Sequence, residues 1–131
     1  LCMAAAVADF RPGQAAGQKI KKEAGAPQIQ LEPTDDILAA VAERKAQTGY
    51  PCRVIGFAAE SQQVLENARH KLEKKRLDMI AANDITATDA GFDVDTNRVV
   101  LITASGEPER LELMSKAGVA EAIIQRAMGW F

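Results

Sequence analysis

The run Met3-Ala-Ala-Ala-Val-Ala-Asp9-Phe-Arg-Pro12 decides how the rest of the chain is read. Its apolar residues follow one another without alternation and stop at an acid and a proline. Unbroken apolar character is what a strand covered on both faces of a parallel sheet shows, so residues 3–8 are expected as a buried strand opening into a loop. The loop, Gly13-Gln-Ala-Ala-Gly-Gln18, has nothing to bury and leads into Lys19, Lys21 and Lys22. Residues 11–26 therefore read either as a mobile lid that brings cations over a phosphate-bearing ligand, or as a solvated surface loop.

Two further apolar runs, Arg53-Val-Ile-Gly-Phe-Ala-Ala59 and Leu77-Asp-Met-Ile-Ala-Ala82, alternate with helical patterns. Thr34 is the expected N-cap of a first helix, with Asp35 and Asp36 in its first turn and Ile37, Leu38, Val41 and Ala42 on one apolar face. That helix should end before Gly49. Ser61 is the expected N-cap of a second helix reaching about Arg76, with Val64, Leu65, Ala68 and Leu72 facing inward. Gln28–Glu32 alternates as a short half-exposed strand. Arg98–Thr103 and Glu109–Leu113 read as a hairpin on the sheet edge. Ser115 caps a last helix with Val119, Ile123, Ile124 and Met128 on one side. The expected fold is a single α/β domain over 1–131: a Rossmann-like, mostly parallel sheet, helices on both faces and a C-terminal antiparallel edge hairpin.

Composition narrows the function classes. A net charge of −2 lacks the basic excess of a nucleic-acid binder, and no apolar run is long enough to span a membrane. With no secretory leader visible, a cytoplasmic protein is expected, and Cys2 and Cys52 are expected as buried free thiols. Two cysteines and one histidine do not make a usual zinc site, and His70, between Arg69 and Lys71, reads as solvated. There is no P-loop, GxGxxG or GxSxG motif.

In an open parallel sheet, ligands bind outside the carboxyl ends of the strands. Asp9, Phe57 and Asn83-Asp84 stand at those ends. Each has a plainer reading, as a turn-forming Asx residue for the acids and as core for Phe57. Arg69, Lys71, Lys74, Lys75 and Arg76 form a basic cluster, in which Lys71 and Lys75 share one helix face. It could hold phosphates or be solvated. Lys75 lies some fourteen residues past Ser61, roughly 20 Å along a helix, which counts against direct contact with the strand ends.

Taken together, Ala5-Ala-Val-Ala-Asp9-Phe-Arg with Lys19-Ile-Lys-Lys22, Asp36-Ile37, Gly56-Phe-Ala-Ala-Glu60, Ala68-Arg69 through Lys71, Lys75 and Leu77-Asp78, and Ala82-Asn83-Asp84 resemble phosphopantothenate–cysteine ligase. That family is the synthetase half of the bifunctional phosphopantothenoylcysteine decarboxylase/synthetase of coenzyme A biosynthesis. The resemblance implies a multifunctional enzyme with a lyase partner domain, and a CTP- and magnesium-dependent ligase. In such a ligase the carboxylate of 4′-phosphopantothenate forms an acyl-cytidylate, which cysteine then converts to an amide, releasing CMP.

It implies Lys19 as the lid lysine, tied to conversion of the intermediate and to the nucleotide. Met3, Ala4, Ala5, Asp9, Asp35, Asp36, Ile37, Leu38, Phe57, Lys71 and Lys75 are implied as nucleotide positions, and Ala6 beside the phosphopantothenate. The family usually reads Asn-Pro-Asp-Ile where this chain has Thr34-Asp35-Asp36-Ile37, so only Asp36 and Ile37 carry over directly. The family's Gly-rich N-terminal segment should precede residue 1, so an N-terminally truncated ligase domain is expected, and a homodimer with it. Two other classes stand beside the ligase: a nucleotide-binding fragment without catalysis, and a fragment whose role is self-association through its edge hairpin.

Overall fold

Two of the three apolar runs become the centre of the sheet, and the first does not. In the computed structural model, which describes residues 1–21, 25–86, 94–104 and 106–130, the second run gives β4 (Ile55–Glu60) and the third gives β5 (Met79–Asp84). They pair in parallel from Ile55↔Met79 to Glu60↔Asp84. The first run contributes only β1 (Cys2–Met3), parallel to β4. Beyond Met3 the chain leaves the sheet, and Ala4–Ala8 are exposed. The expected buried strand over 3–8 is thus corrected: β1 has a neighbour on one side only, and its small apolar residues go on to form a wall. Cys2 and Cys52 are free and exposed, not buried.

Phe10–Pro12 form β2, which pairs antiparallel with β3 (Leu31–Pro33). Gly13 N donates to Gln30 O at 2.9 Å, and Arg11 Nε donates to Glu32 Oε1 at 2.7 Å. The first residues of the expected lid are therefore half of a ribbon. Residues 13–21 are exposed; Lys22 lies outside the described residues, as do the turn region 87–93 and the side chain of Asp84.

The first helix, α1 (Ile37–Thr48), starts later than expected. Asp36, not Thr34, is its N-cap, its Oδ1 accepting from Ala39 N at 3.1 Å. Thr34 instead turns back, donating its Oγ1 to Ala8 O, while its N–H donates to Asp9 O at 3.0 Å. The helix ends at Gly49, whose φ of 70° is the left-handed C-cap geometry that favours glycine. The second helix, α2 (Val64–Lys74), begins after Gln63 rather than after Ser61.

After β6 (Thr96–Asn97), β7 (Val99–Thr103) runs antiparallel to β5, and β8 (Glu109–Arg110) pairs antiparallel to β7 at the edge, as the expected hairpin. β9 (Met114–Ser115) pairs with β6, and Ser115 caps α3 (Lys116–Met128). The sheet order is β1-β4-β5-β7-β8.

Strand alternation sends side chains to two cores. Val54, Ala58, Ile80, Ala82, Val100 and Ile102 pack with Ala68 and Leu72 of α2 and with Leu38 and Val41 of α1. Ile55, Met79, Ala81, Val99 and Leu101 pack with Val119 and Ile123 of α3. The result is an α/β fold of Rossmann-like type with helices on both faces. Ile124 and Met128 do not join that core; they are 58% and 70% exposed, on the outer side of α3.

At the sheet centre, a Cβ on Gly56 would stand 2.6 Å from Cδ1 of Leu77, itself only 4% exposed. Gly56→Ala is expected to lower stability by about 1–3 kcal/mol through overpacking. Urea unfolding checks this, and an unchanged midpoint would mean that Leu77 yields without cost.

Candidate functional site

A cavity of about 570 Å³ opens where β1, β4 and β5 end. One wall is Met3–Asp9, held against the entry to α1 by the two Thr34 hydrogen bonds to Ala8 O and Asp9 O. A second wall is Thr34–Leu38. Phe57, Ala58, Ala59 and Asn83 form the sheet end, and Lys71 and Lys75 reach in from α2.

The distance objection raised by sequence holds for Lys75 and does not apply to Lys71. Helical side chains lean toward the N-terminus of their helix, so Lys71 reaches back to Glu60 at the end of β4, with Nζ 2.9 Å from Oε1. Lys75 pairs with Oδ2 of Asp36, the N-cap of α1. Lys75 is thus tied to a neighbouring helix terminus, not to a strand end. In the first pair the lysine is the exposed member, Lys71 at 48% against Glu60 at 14%; in the second it is the carboxylate, Lys75 at 20% against Asp36 at 48%.

Met3, Ala4, Ala5, Ala6, Asp9, Asp35, Asp36, Ile37, Leu38, Phe57, Lys71 and Lys75, the positions that the resemblance implies as ligand contacts, all line this one cavity. Lys19 does not line it; it is exposed on the segment after β2. Asn83 is the residue that sequence reasoning placed at a strand end without giving it a binding role. Its Oδ1 is buried and has no hydrogen-bond partner among the described residues, which is costly unless a donor arrives. Alternation along β5 puts Asn83 on the same face as Met79 and Ala81, so the cavity reaches around the sheet end toward α3, where Val119 lines it. Glu60 was also missed, because no local spacing links it to Lys71.

Among the described residues, no group of three or more His, Cys, Asp or Glu side chains is placed to hold a metal ion. The charges that do line the cavity are Asp9, Asp35 and Asp36 against Lys71 and Lys75. That lining has no cationic excess.

The family described as the DNA/pantothenate metabolism flavoprotein C-terminal domain matches residues 1–130. The chain belongs to that family. Among its relatives, the coenzyme A biosynthesis bifunctional protein CoaBC of Bacillus subtilis (strain 168) is 42% identical over 121 residues, covering 92% of this chain and 29% of that protein. A cysteine/cysteine sulfinic acid decarboxylase of an unknown prokaryotic organism is 39% identical over 126 residues, covering 96% of this chain and 34% of the relative. The chain thus spans about a third of the length of those curated relatives. The crystal structure of the C-terminal domain of CoaBC superposes with a TM-score of 0.68 at 35% identity, covering 94% of this chain and 50% of that one. A DNA/pantothenate metabolism flavoprotein from Streptococcus pneumoniae gives a TM-score of 0.71 at 20% identity, covering 96% and 61%, which bears on the fold alone.

These findings correct the functional expectation. The family is described as the C-terminal domain of a flavoprotein and one relative is named a decarboxylase, while a CTP-dependent ligase is named in neither. The reading as phosphopantothenate–cysteine ligase is set aside. So are the acyl-cytidylate, CTP and magnesium, and the alternative of an incomplete nucleotide-binding or dimerisation fragment of that ligase. The physical reason lies in the charges: three carboxylates against two already paired lysines suit a monophosphate better than a triphosphate. What the relatives' names carry instead is coenzyme A biosynthesis and decarboxylation.

Proposed function

We propose that the crevice is the phosphoester-binding site of a cytoplasmic enzyme of coenzyme A biosynthesis, and that its ligand is built from 4′-phosphopantothenate and cysteine. The observation that carries this is that one cavity is lined by Lys71, Lys75 and Asn83, whose buried Oδ1 has no partner among the described residues. Two ammonium groups suit a phosphate ester, since charge-assisted hydrogen bonds are the stronger kind. A buried acceptor suits an amide N–H or a hydroxyl, and a ligand of this class carries both. In this reading the described exposed residues 14–21 of the expected lid, with Lys19, close over the bound ligand. The chain works as a homodimer, with exposed apolar side chains such as Ile124 and Met128 available for association.

The family's description implies a flavin, and as an alternative occupant of the same groups flavin mononucleotide fits the residues: Phe57, 38% exposed, would offer a face to a flat ring, Asn83 Oδ1 would accept from a ring N–H, and Lys71 and Lys75 would hold the phosphate. When bound, a flavin supplies redox chemistry at its ring. The chain's part is to hold the phosphate, to orient the ligand through Asn83 and to shield it with the Met3–Asp9 wall.

Two matched pairs test the site by calorimetric titration: 4′-phosphopantothenate against pantothenate, and flavin mononucleotide against riboflavin. In at least one pair the phosphorylated member is expected to bind about tenfold tighter or more. Equal affinities within both pairs would overturn the reading. Release of carbon dioxide from the cysteine conjugate of 4′-phosphopantothenate, followed in parallel, tests the activity that one relative's name carries.

A further inference from the structure

We infer that Glu60, tethered by Asn67, is the positioning residue for Lys71; this rests on the phosphoester reading of the crevice. Glu60 is the last residue of β4, and its side chain is only 14% exposed. Both carboxylate oxygens are committed: Oε1 accepts from Lys71 Nζ at 2.9 Å and Oε2 from Asn67 Nδ2 at 3.2 Å. The same Asn67 amide donates to Gln62 O at 2.9 Å, which fixes it to the β4–α2 connection. Asn67 and Lys71 are four apart on α2, so one helix face carries the tether and the cation side by side.

A lysine has a long flexible stem, and with 48% of its side chain exposed Lys71 would otherwise extend into solvent. The pair with Glu60 takes one of the three ammonium N–H donors and leaves two for a ligand. In protein kinases, a lysine that holds nucleotide phosphates is itself held by a glutamate, and both must be in place. Lys75 has a carboxylate holder too, but Asp36 also caps α1, so substituting it would confound positioning with helix stability. Glu60 carries no such second task.

Positioning and plain electrostatics predict opposite signs. Removing a carboxylate next to an arriving phosphate should tighten binding if Glu60 only competes for Lys71. It should weaken binding if Glu60 places Lys71. The readout is the affinity ratio of 4′-phosphopantothenate to pantothenate, with flavin mononucleotide and riboflavin as the second pair, in Glu60→Gln and in Asn67→Leu. The second variant keeps both charges and removes the tether, together with its bond to Gln62 O.

Both variants are expected to lower the phosphate-dependent ratio about tenfold, with Lys71→Met abolishing any further effect of Glu60→Gln. A ratio that is unchanged or raised in the variants, in a protein whose wild type prefers the phosphorylated member, overturns the positioning role alone. A wild type without that preference overturns the phosphoester reading instead. Should Glu60→Gln fail to fold, Asn67→Leu decides.

Discussion

Replacing Lys71 and Lys75 together by methionine is expected to lower the affinity for 4′-phosphopantothenate about a hundredfold, while pantothenate binds almost as before. Methionine keeps much of each apolar stem, so the walls of the crevice stay in place and only the charges go. The two lysines should not contribute equally. Lys71 is half exposed and its attraction to a phosphate is screened by solvent, whereas Lys75, 20% exposed, acts in a less hydrated setting. Lys75→Met should therefore cost more than Lys71→Met. Raising salt from about 0.05 M to about 0.5 M should weaken phosphate binding in the wild type and leave the double variant nearly indifferent. Equal losses for the phosphorylated and unphosphorylated ligands would show that the substitutions damaged the crevice as a whole.

The sequence made the sheet legible through its two central runs, because Met79–Ala82 of β5 are buried on both faces and Ile55, Gly56 and Ala58 of β4 are buried beside them, which unbroken apolar character shows. Phe57 and Ala59, equally apolar, are exposed at the crevice end. The same signal misled at Met3–Ala8. Small apolar residues look alike whether they are sealed in a sheet or line an open cavity, and only the pairing of β1 on one side separates the cases. Cap identity was legible by residue type but not by position. Thr34 and Asp36 are both good caps, and the competing Thr34 bond to Ala8 O decides between them. Asp9, Asp36, Phe57, Lys71 and Lys75 line one crevice; only the family resemblance grouped them beforehand, while helical spacing counted against Lys75. The chemistry was not legible, since a phosphate-binding lysine looks the same under a monophosphate or a triphosphate. The Glu60–Lys71 pair and the Asn83 acceptor, without a partner among the described residues, are products of packing between distant segments, and no local pattern announces them.

Asp78→Asn is expected to cost about 2 kcal/mol, the largest stability loss anticipated for a single polar group here. Asp78 sits where α1, β4 and β5 converge. Its carboxylate accepts from Lys45 Nζ of α1, from Arg53 Nη1 at 3.0 Å and from the Val54 N–H at 2.7 Å. Burial pushes the Asp78 carboxyl up, but the hydrogen bonds from Lys45, Val54 and Arg53 outweigh it and hold the group below the usual aspartate value. A carboxyl depressed in the folded state stabilises fully above its unfolded value of about 3.9. That contribution is lost as the pH falls through the lower, folded value. Asparagine still offers an oxygen to Val54 but leaves two cations, Lys45 only 24% exposed, without their counter-charge. Urea midpoints measured from about pH 6 down to about pH 2.5 should therefore separate wild type from Asp78→Asn at the upper end and converge at the lower. A gap that persisted undiminished in acid would assign the loss to packing, and the charge on Asp78 would then not be what ties α1 to the sheet.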